Sequence, residues 1–217
     1  MAGSDQQSTA SRVADRLRTR IIEGKVQPGE RLSEERVRQA MGVSRSTLRE
    51  AFQLLIRERL LVHTLSRGVF VRRLSADDIS DLYRVRRVIE CATLRELEVL
   101  PPAGLRTLVA SAEDGRTAAR SRRWQEVAAA SIRFHKALVA LAGSERLDGL
   151  ITQVLAEFRL AYAMMNDPYA FHAYFLAKHA PITDAVRSGE LDRAADLLDA
   201  YLREAEDRLI SAYAAHT

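Results

Sequence analysis

Residues 41–55 read MGVSRSTLREAFQLL, and this stretch predicts the turn and second helix of a helix-turn-helix. Gly42 suits the sharp turn, and the Ser44 hydroxyl can accept a hydrogen bond from a backbone N–H at the start of the following helix. Apolar residues then recur at three- and four-residue spacing, which predicts one buried helix face. They are Leu48, Ala51, Phe52 and Leu55. The segment is therefore expected to pack on a small helical domain.

The opposite face of the same helix is rich in hydrogen-bond donors. Arg45, Arg49 and Gln53 follow one another at four-residue spacing, and Ser46 and Thr47 lie in the first turn. A guanidinium can bind a phosphate, or the O6 and N7 atoms of guanine, through two parallel hydrogen bonds, and a helix N-terminus attracts phosphate. Taken alone, the pattern is equally typical of a solvated arginine face, so the neighbouring sequence has to decide.

Charge is distributed unevenly along the 217 residues. Residues 1–75 contain 15 Lys and Arg against 8 Asp and Glu, whereas residues 76–217 contain 18 against 21. A basic first part and a mildly acidic remainder are typical of a polyanion-binding module joined to a different domain. Only 3 of the 33 basic residues are Lys. This bias suits bidentate phosphate contacts, although a whole-proteome composition explains it equally well.

The cysteine count, the apolar runs and the opening residues indicate the cellular compartment of the protein. One cysteine, Cys91, excludes an internal disulfide framework, and no apolar run approaches the ~20 residues that span a membrane. The opening residues MAGSDQQSTA lack the apolar core of a signal peptide. We therefore expect a cytoplasmic protein without a membrane contact.

Two β-rich runs, residues 61–65 and 69–72, follow the quoted stretch and flank the turn Ser66-Arg67-Gly68. Runs of this length around a glycine-containing turn predict a β-hairpin. Two further helices are predicted before the quoted stretch, one from about Ser11 with Val13, Leu17 and Ile21 on one stripe, and one from Ser33 to Met41. Three helices followed by a hairpin make a winged helix-turn-helix, here over residues 1–75. Arg67, at the hairpin tip, is placed to reach a phosphate or a minor groove.

Residues 76–217 are predicted to be helical throughout. Ser75 and Asp78 have the spacing of a capping box, and Pro101-Pro102 ends the first helix. The inner stripe of that helix is predicted to hold Ile79, Leu82, Tyr83, Arg86, Ile89, Thr93 and Leu97. Five further helical segments follow, and six consecutive helices predict an α-helical bundle. The fold class is therefore mainly α.

In combination, these motifs resemble the GntR family of bacterial transcription regulators. The motifs are PGERL at residues 28–32, GVSRSTLREA at residues 42–51 and the RG wing tip at residues 67–68. The helical remainder looks like the FCD effector domain of the FadR-like branch, and six helices place it nearer the VanR-type subgroup. The resemblance implies a homodimer that represses transcription by binding a palindromic double-stranded DNA operator, under the control of a small carboxylate metabolite.

The resemblance also implies which residues contact DNA. In the recognition segment they are Ser44, Arg45, Ser46, Thr47 and Arg49, and in the wing they are Arg67 and Gly68. One position departs from the family pattern, because an arginine early in the second helix is replaced by the order Glu34-Glu35-Arg36. Either Arg36 takes that role from a shifted position, or one phosphate contact is absent.

The resemblance further implies a divalent-metal site in the bundle, formed by an Asp and a His one turn apart and by two later His residues. Here these positions hold Ser131, His135, His179 and Tyr201. Hydroxyl groups are poor ligands for Zn²⁺ or Ni²⁺ beside neutral imidazoles, and a site without a carboxylate loses charge compensation. Two of the four expected ligands are therefore kept and two are replaced.

Three interpretations of these residues remain open. In the first, His135 and His179 bind a metal weakly, with water or the effector as the remaining ligand. In the second, the two imidazoles bind the effector directly, together with Ser131, Tyr201 and Tyr83. In the third, all of them are ordinary buried polar residues without a ligand.

Arg86 is the candidate clamp for the carboxylate of an effector, because it lies on the inner stripe of the first bundle helix. A buried guanidinium needs an anionic partner, and Glu90 at i+4 can supply one as well. The full set of candidate effector-binding residues is Tyr83, Arg86, Ser131, His135, His179 and Tyr201.

Two other functions compete with a ligand-controlled regulator. An effector-free architectural DNA binder would use the same DNA-facing residues, and a metal-dependent hydrolase would use His135 and His179. The helix stripes that carry these histidines offer no carboxylate general base and no activated nucleophile pair. We therefore do not expect an enzyme.

Overall fold

The computed structural model describes residues 8–22, 24–162 and 168–214, and the chain divides into two compact units. The first unit is Met1–Leu74 with Ala156–Met164, and the second is Ser75–Leu155 with Met165–Thr217. The division after Leu74 lies one residue from the boundary that the sequence predicts. No pattern in the sequence predicts that residues 156–162 belong with the first unit.

The first unit is a winged helix-turn-helix. Its elements are α1 (Thr9–Ile22), β1 (Arg31–Leu32), α2 (Glu34–Met41), α3 (Arg45–Arg57), β2 (Leu61–Thr64) and β3 (Gly68–Val71). The strands form an antiparallel sheet in the order β1-β3-β2, which confirms the predicted hairpin and adds a third strand. Strand β1 exists because Arg31 and Leu32 pair with β3, and two residues carry no alternating pattern from which a strand could be predicted.

Helix α3 packs on α1 through the residues that the sequence predicts. All four of its apolar stripe residues are buried, and α1 contributes Val13, Leu17 and Ile21 to the same core. Gly42 ends α2 at φ 65°, in the left-handed region that favours glycine, so the chain can turn sharply between the two helices.

The second unit is an α-helical bundle. Its elements are α4 (Ala76–Arg86), a π segment (Arg87–Cys91), α5 (Ala92–Arg95), α6 (Pro102–Arg120), α7 (Trp124–Ala140), α8 (Glu145–Tyr162), α9 (Pro168–Arg187) and α10 (Leu191–Ala214). If α4, the π segment and α5 are counted as one interrupted helix, the described residues contain the six predicted bundle helices. Helix α8 begins in the second unit and ends in the first. The sequence pattern predicts this helix over residues 145–165, and residues 163–165 lie outside the described part of the chain.

The capping box at the start of α4 is confirmed. The Ser75 hydroxyl accepts a hydrogen bond from the Asp78 backbone N–H at 3.1 Å, and the Asp78 carboxylate accepts one from the Ser75 backbone N–H at 2.9 Å. These two bonds satisfy N–H groups that have no partner within the helix, and they fix the residue at which the bundle begins.

The first bundle helix is not regular, so its predicted inner stripe omits Glu90 and Cys91, which are buried. The π segment widens the turn at residues 87–91 and changes which residues face inward. Ile89 is half-buried and packs against the buried side chains of Val139, Ile151 and Leu155. The last turn, α5, ends at Arg95, well before the two prolines. A prediction that assumes 3.6 residues per turn throughout cannot include the wider turn of a π segment.

A buried ion pair fastens the end of α8 to the winged part of the first unit. Glu157 is in the portion of α8 that belongs to this unit, and its side chain is only 3% exposed. The Arg72 guanidinium, directly after β3, donates to Glu157 Oε2 at 2.7 Å, and Arg59 Nε lies 3.9 Å from Oε1. A carboxylate this deeply buried requires such cationic partners, because removing one partner leaves an uncompensated charge.

Gly115 of α6 faces Leu176 of α9, and this contact provides a test of the bundle packing. A Cβ at Gly115 would lie 2.6 Å from Leu176 Cδ1, closer than carbon atoms pack. We expect Gly115→Ala to lower the free energy of unfolding by about 1–3 kcal/mol, measured by urea denaturation.

The matched control is Gly149→Ala in α8. A Cβ there would have no described atom within 4 Å. Because alanine favours the helix over glycine and meets no neighbour, this variant should be more stable by about 0.5–1 kcal/mol. Equal effects of the two substitutions would contradict the close contact between α6 and α9.

Candidate DNA-binding surface and buried polar cluster

The N-terminus of α3 carries hydroxyl groups that local hydrogen bonds hold in place. The Ser44 hydroxyl accepts a hydrogen bond from the Thr47 backbone N–H at 3.1 Å, and it lies 2.9 Å from Ser46 Oγ and 2.8 Å from Thr47 Oγ1. Ser44 and Ser46 are exposed, and Thr47 is half-buried. Hydroxyl groups and free N–H groups at a helix N-terminus are well suited to hold a phosphate.

Arg45 and Arg49 are exposed on the side of α3 that faces away from its buried residues. Arg49 Nε lies 3.5 Å from Glu34 Oε2, and the two side chains are 70% and 48% exposed. An ion pair this exposed contributes about 0–1 kcal/mol, so it orients Arg49 without burying it. Both guanidinium groups are therefore accessible to a nucleic acid.

Arg36 is exposed in the first turn of α2. Its backbone N–H donates to the Ser33 hydroxyl at 3.4 Å, and this contact caps the helix. The neighbouring Glu35 is held by Arg38 of the same helix at 2.7 Å. Arg36 is thus accessible from the shifted position that the sequence analysis considered.

The wing tip is a tight turn beside an arginine that the sequence analysis missed. Ser66 and Gly68 have φ angles of 62° and 102°. A Cβ on Gly68 would lie 3.4 Å from Arg31 Nε, which shows that Arg31 of β1 lies across the turn. The guanidinium of Arg67 is 5.8 Å from the centre of the Phe70 ring. The wing therefore presents two arginines, and the second depends on a strand too short to predict.

A chain of four hydrogen-bonded polar side chains runs through the interior of the second unit. Arg86 Nε donates to Glu90 Oε1 at 2.6 Å, Glu90 Oε2 lies 2.6 Å from His135 Nδ1, and His135 Nε2 lies 3.0 Å from the Tyr201 hydroxyl oxygen. Each residue is at most 5% exposed. The π segment brings Glu90 into this chain, so its contact with His135 could not be read from a regular helix.

The hydrogen bonds between these four side chains are consistent with the charge that each one carries. With Glu90 as acceptor, His135 donates from Nδ1 and accepts the Tyr201 proton at Nε2. Burial alone would raise the pKa of Glu90, but Arg86 and His135 bring it below its usual value. Burial and then the Arg86 charge lower the pKa of His135, against the opposing effect of Glu90. At neutral pH the chain therefore holds one guanidinium, one carboxylate and one neutral imidazole.

His179 lies beside this chain without joining it. Its ring stacks on Phe134 with centroids 4.0 Å apart and lies 5.7 Å from the Tyr201 ring. The residue is 1% exposed, and neither ring nitrogen has a hydrogen-bond partner among the described residues. Burial, followed by the charges of His135 and Arg86, lowers its pKa well below the usual value. An unsatisfied buried polar group costs about 1–3 kcal/mol, so His179 is the strongest candidate for a ligand contact.

The other two candidate effector residues differ in their placement. Tyr83 is fully buried, and the Arg86 guanidinium carbon is 5.4 Å from the centre of its ring. Ser131 is half-buried, and its hydroxyl takes part in none of the hydrogen bonds found in the described cluster. The structure thus brings Tyr83 to Arg86 and leaves Ser131 outside the hydrogen-bonded chain.

The donor set does not fit a divalent metal ion. Both ring nitrogens of His135 are engaged, by Glu90 and by Tyr201. Across residues 8–22, 24–162 and 168–214, no group of three or more His, Cys, Asp or Glu is arranged to hold a metal. Zn²⁺ and Ni²⁺ require several such ligands. Of the three interpretations, a weakly bound metal at His135 and His179 therefore lacks support.

Comparisons with known proteins cover both units. Residues 9–71 match the family described as bacterial regulatory proteins, gntR family, and residues 81–204 match the FCD domain. A GntR transcriptional regulator from Rhodococcus sp. RHA1 has a crystal structure that matches this chain with a TM-score of 0.85. The two sequences are 40% identical, and the match covers 94% of this chain and 98% of that one.

Two curated proteins are similar at the level of sequence. The HTH-type transcriptional regulator BphR of Paraburkholderia xenovorans (strain LB400) is 29% identical over 84% of this chain and 78% of its own length. The gluconate operon transcriptional repressor of Bacillus licheniformis is 40% identical over 42% of this chain and 37% of its own length. Both relatives are named as transcription regulators. Within the described part of the chain, every helix is too short or too polar to cross a membrane.

The buried histidines predict a loss of stability in mild acid. Burial lowers the pKa of His172 to about 4, and the pKa values of His135 and His179 are also lowered. The folded state keeps these imidazoles neutral, whereas the unfolded chain protonates them below about pH 6.5. Their contribution is therefore complete above that pH and is lost as the pH falls below 6.5, in the case of His172 towards pH 4. We expect the free energy of unfolding to fall by up to about 1.4 kcal/mol per pH unit for each histidine.

Urea denaturation at pH 7.5, 6.5, 5.5 and 4.5 measures this slope. His172→Gln is the control, because it removes one of the three histidines that titrate. The free energy of unfolding of this variant should change less with pH than that of the wild-type protein. A wild-type free energy of unfolding that stays constant between pH 6.5 and 5 would refute the neutral state of the buried imidazoles.

Proposed function

The chain belongs to the gntR family of bacterial regulatory proteins with an FCD domain, a family of DNA-binding transcription regulators, and from this premise we propose that it is a ligand-controlled repressor. It binds a palindromic double-stranded operator as a homodimer and acts in the cytoplasm, where bacterial DNA lies. The proposed DNA contacts are Arg36, Ser44, Arg45, Ser46, Thr47, Arg49, Arg67 and Gly68, with Arg31 added from the wing.

The proposed DNA contacts are based mainly on one observation, the exposed N-terminus of α3. Its hydroxyl groups can hold a phosphate, while Arg45 and Arg49 extend from the same face towards the base edges of a major groove. One winged domain reads only half of a site. Two subunits related by a two-fold axis would therefore require a palindrome, with the half-sites about one helical turn apart.

The proposed effector is a small carboxylate metabolite that binds at the buried cluster. Support comes from His179, whose neutral ring has a donor and an acceptor without described partners. A carboxylate can accept the His179 N–H proton and interact with the charge of Arg86. Because Glu90 already compensates Arg86, His179 should determine the affinity more strongly than the guanidinium does.

An effector-free architectural DNA binder is the second candidate. It is favoured by the completed chain from Arg86 through Glu90 and His135 to Tyr201, which needs no ligand for charge compensation. The two candidates share the DNA-facing residues and differ only in whether a small molecule changes DNA binding.

Arg45→Ala tests the DNA-reading surface. We expect it to weaken binding to a duplex that the wild-type protein selects from a randomised library by roughly 10-fold to 100-fold, since a bidentate base contact contributes about 1–3 kcal/mol. Gel-shift titration measures the change. Arg84→Ala, an exposed arginine of α4, is the control and should retain wild-type affinity. Unchanged affinity of Arg45→Ala at an unchanged melting temperature would count against the proposed surface.

A thermal-shift screen tests the effector. We expect at least one small hydroxycarboxylate to raise the melting temperature and to release the selected duplex, while a neutral polyol of the same length does neither. His179→Gln should abolish the shift without preventing DNA binding. If no carboxylate changes either measurement, the architectural DNA binder is the better assignment.

A further inference from the structure

Two carboxylates at the start of α2 lie beside the proposed DNA-reading face. Glu34 and Glu35 are exposed in the first turn of the helix. Glu34 Oε2 is 3.5 Å from Arg49 Nε. The pKa of Glu35 is lowered first by its hydrogen bond to Arg38, and the charge of Arg45 lowers it further. Glu34 therefore places a negative charge next to Arg49, one of the two arginines that are proposed to read bases.

Stability does not explain this placement. An exposed pair such as Glu34 and Arg49 contributes little to folding. Glu35 already has Arg38 and Gln39 at 2.7 Å and does not need a further cation. A carboxylate that faces DNA also weakens binding, because it repels phosphates and offsets one of the cations that would displace counterions.

We propose that Glu34 is a specificity-determining residue, which restrains Arg49 and disfavours DNA that lacks the operator sequence. The proposal rests on the assignment of Arg49 as a DNA contact. On an unrelated duplex, Arg49 would have to leave Glu34 for a phosphate, and the carboxylate would be left close to the backbone. Both changes weaken the unspecific complex.

On a matching site, the same pair is compatible with binding. Arg49 can donate two hydrogen bonds to guanine O6 and N7, and a carboxylate can accept a hydrogen bond from the N4 amine of a cytosine. The penalty then falls mainly on the unspecific complex. Glu34 thus raises the ratio of the affinity for the operator to the affinity for unrelated DNA, and it lowers the affinity for DNA in general.

Glu34→Gln tests the proposal, because glutamine keeps the size of the side chain and removes its charge. The probes are the duplex selected by the wild-type protein and a scrambled duplex of the same composition, measured by fluorescence anisotropy between 50 and 200 mM salt. We expect about fivefold tighter binding to the scrambled duplex, as for the loss of one nearby repulsive charge. Its log affinity should fall more steeply with log salt concentration, by up to about 0.9. Affinity for the selected duplex should change less than twofold.

Two further variants separate the causes. Asp81→Asn in α4 removes one exposed negative charge outside the first unit and should leave both affinities within twofold. Glu35→Gln should give a smaller rise on the scrambled duplex than Glu34→Gln, since its carboxylate is already held by Arg38. Melting temperatures confirm that each variant is folded, and Glu34→Ala replaces Glu34→Gln if that variant does not fold.

The outcomes distinguish this inference from the proposed function. If Arg49→Ala leaves affinity for the selected duplex unchanged, the proposed DNA contact itself fails. If Arg49→Ala weakens binding but Glu34→Gln does not tighten binding to the scrambled duplex, only the role of Glu34 fails. Equal tightening on both duplexes also overturns that role, because Glu34 would then act as a general charge.

Discussion

The packing of α3 on α1 is the constraint on which the DNA-facing surface depends. Four residues of α3 are at most 2% exposed, and their burial fixes the rotation of the helix about its axis. Side chains at four-residue spacing share a face, so Arg45 and Arg49 must then point to solvent together. The Ser44 cap fixes where the helix begins. The reading surface is therefore a consequence of hydrophobic burial on the other side of the same helix.

In the bundle, buried charged residues fix the orientation of the interior side chains. Removing a guanidinium and a carboxylate from water is costly, and such pairs often add little net stability. The contacts from Arg86 to Glu90, His135 and Tyr201 nevertheless determine which side chains face one another in the interior. His179 is the exception, since it is equally buried but its ring nitrogens have no hydrogen-bond partner in the described part of the chain. This contrast is the reason that the effector proposal depends on His179 and not on the charged residues around it.

Features that depend on local chemistry could be predicted from the sequence, and features that depend on tertiary contacts could not. The caps at Ser44 and Ser75, the hairpin and the exposed arginines of α3 follow from spacing and hydrogen-bonding capacity within a few residues. Strand β1 requires its partner β3, and Arg31 is therefore recognised only in the folded wing. The π segment is an irregularity that a periodic pattern cannot express, and it decides that Glu90 meets His135. The Arg72 contact with Glu157 joins residues 85 positions apart.

The π segment also determines the chemistry of the chain's one cysteine. Cys91 is buried at the end of this segment, and burial, followed by the negative charge of Glu90, raises its pKa to about 12. Because the thiol is buried and its pKa is raised, it reacts more slowly with oxidants and alkylating reagents than an exposed cysteine does. Alkylation of Cys91 can then occur only through local opening. The rate of alkylation of Cys91 therefore reports how often the π segment next to Glu90 opens.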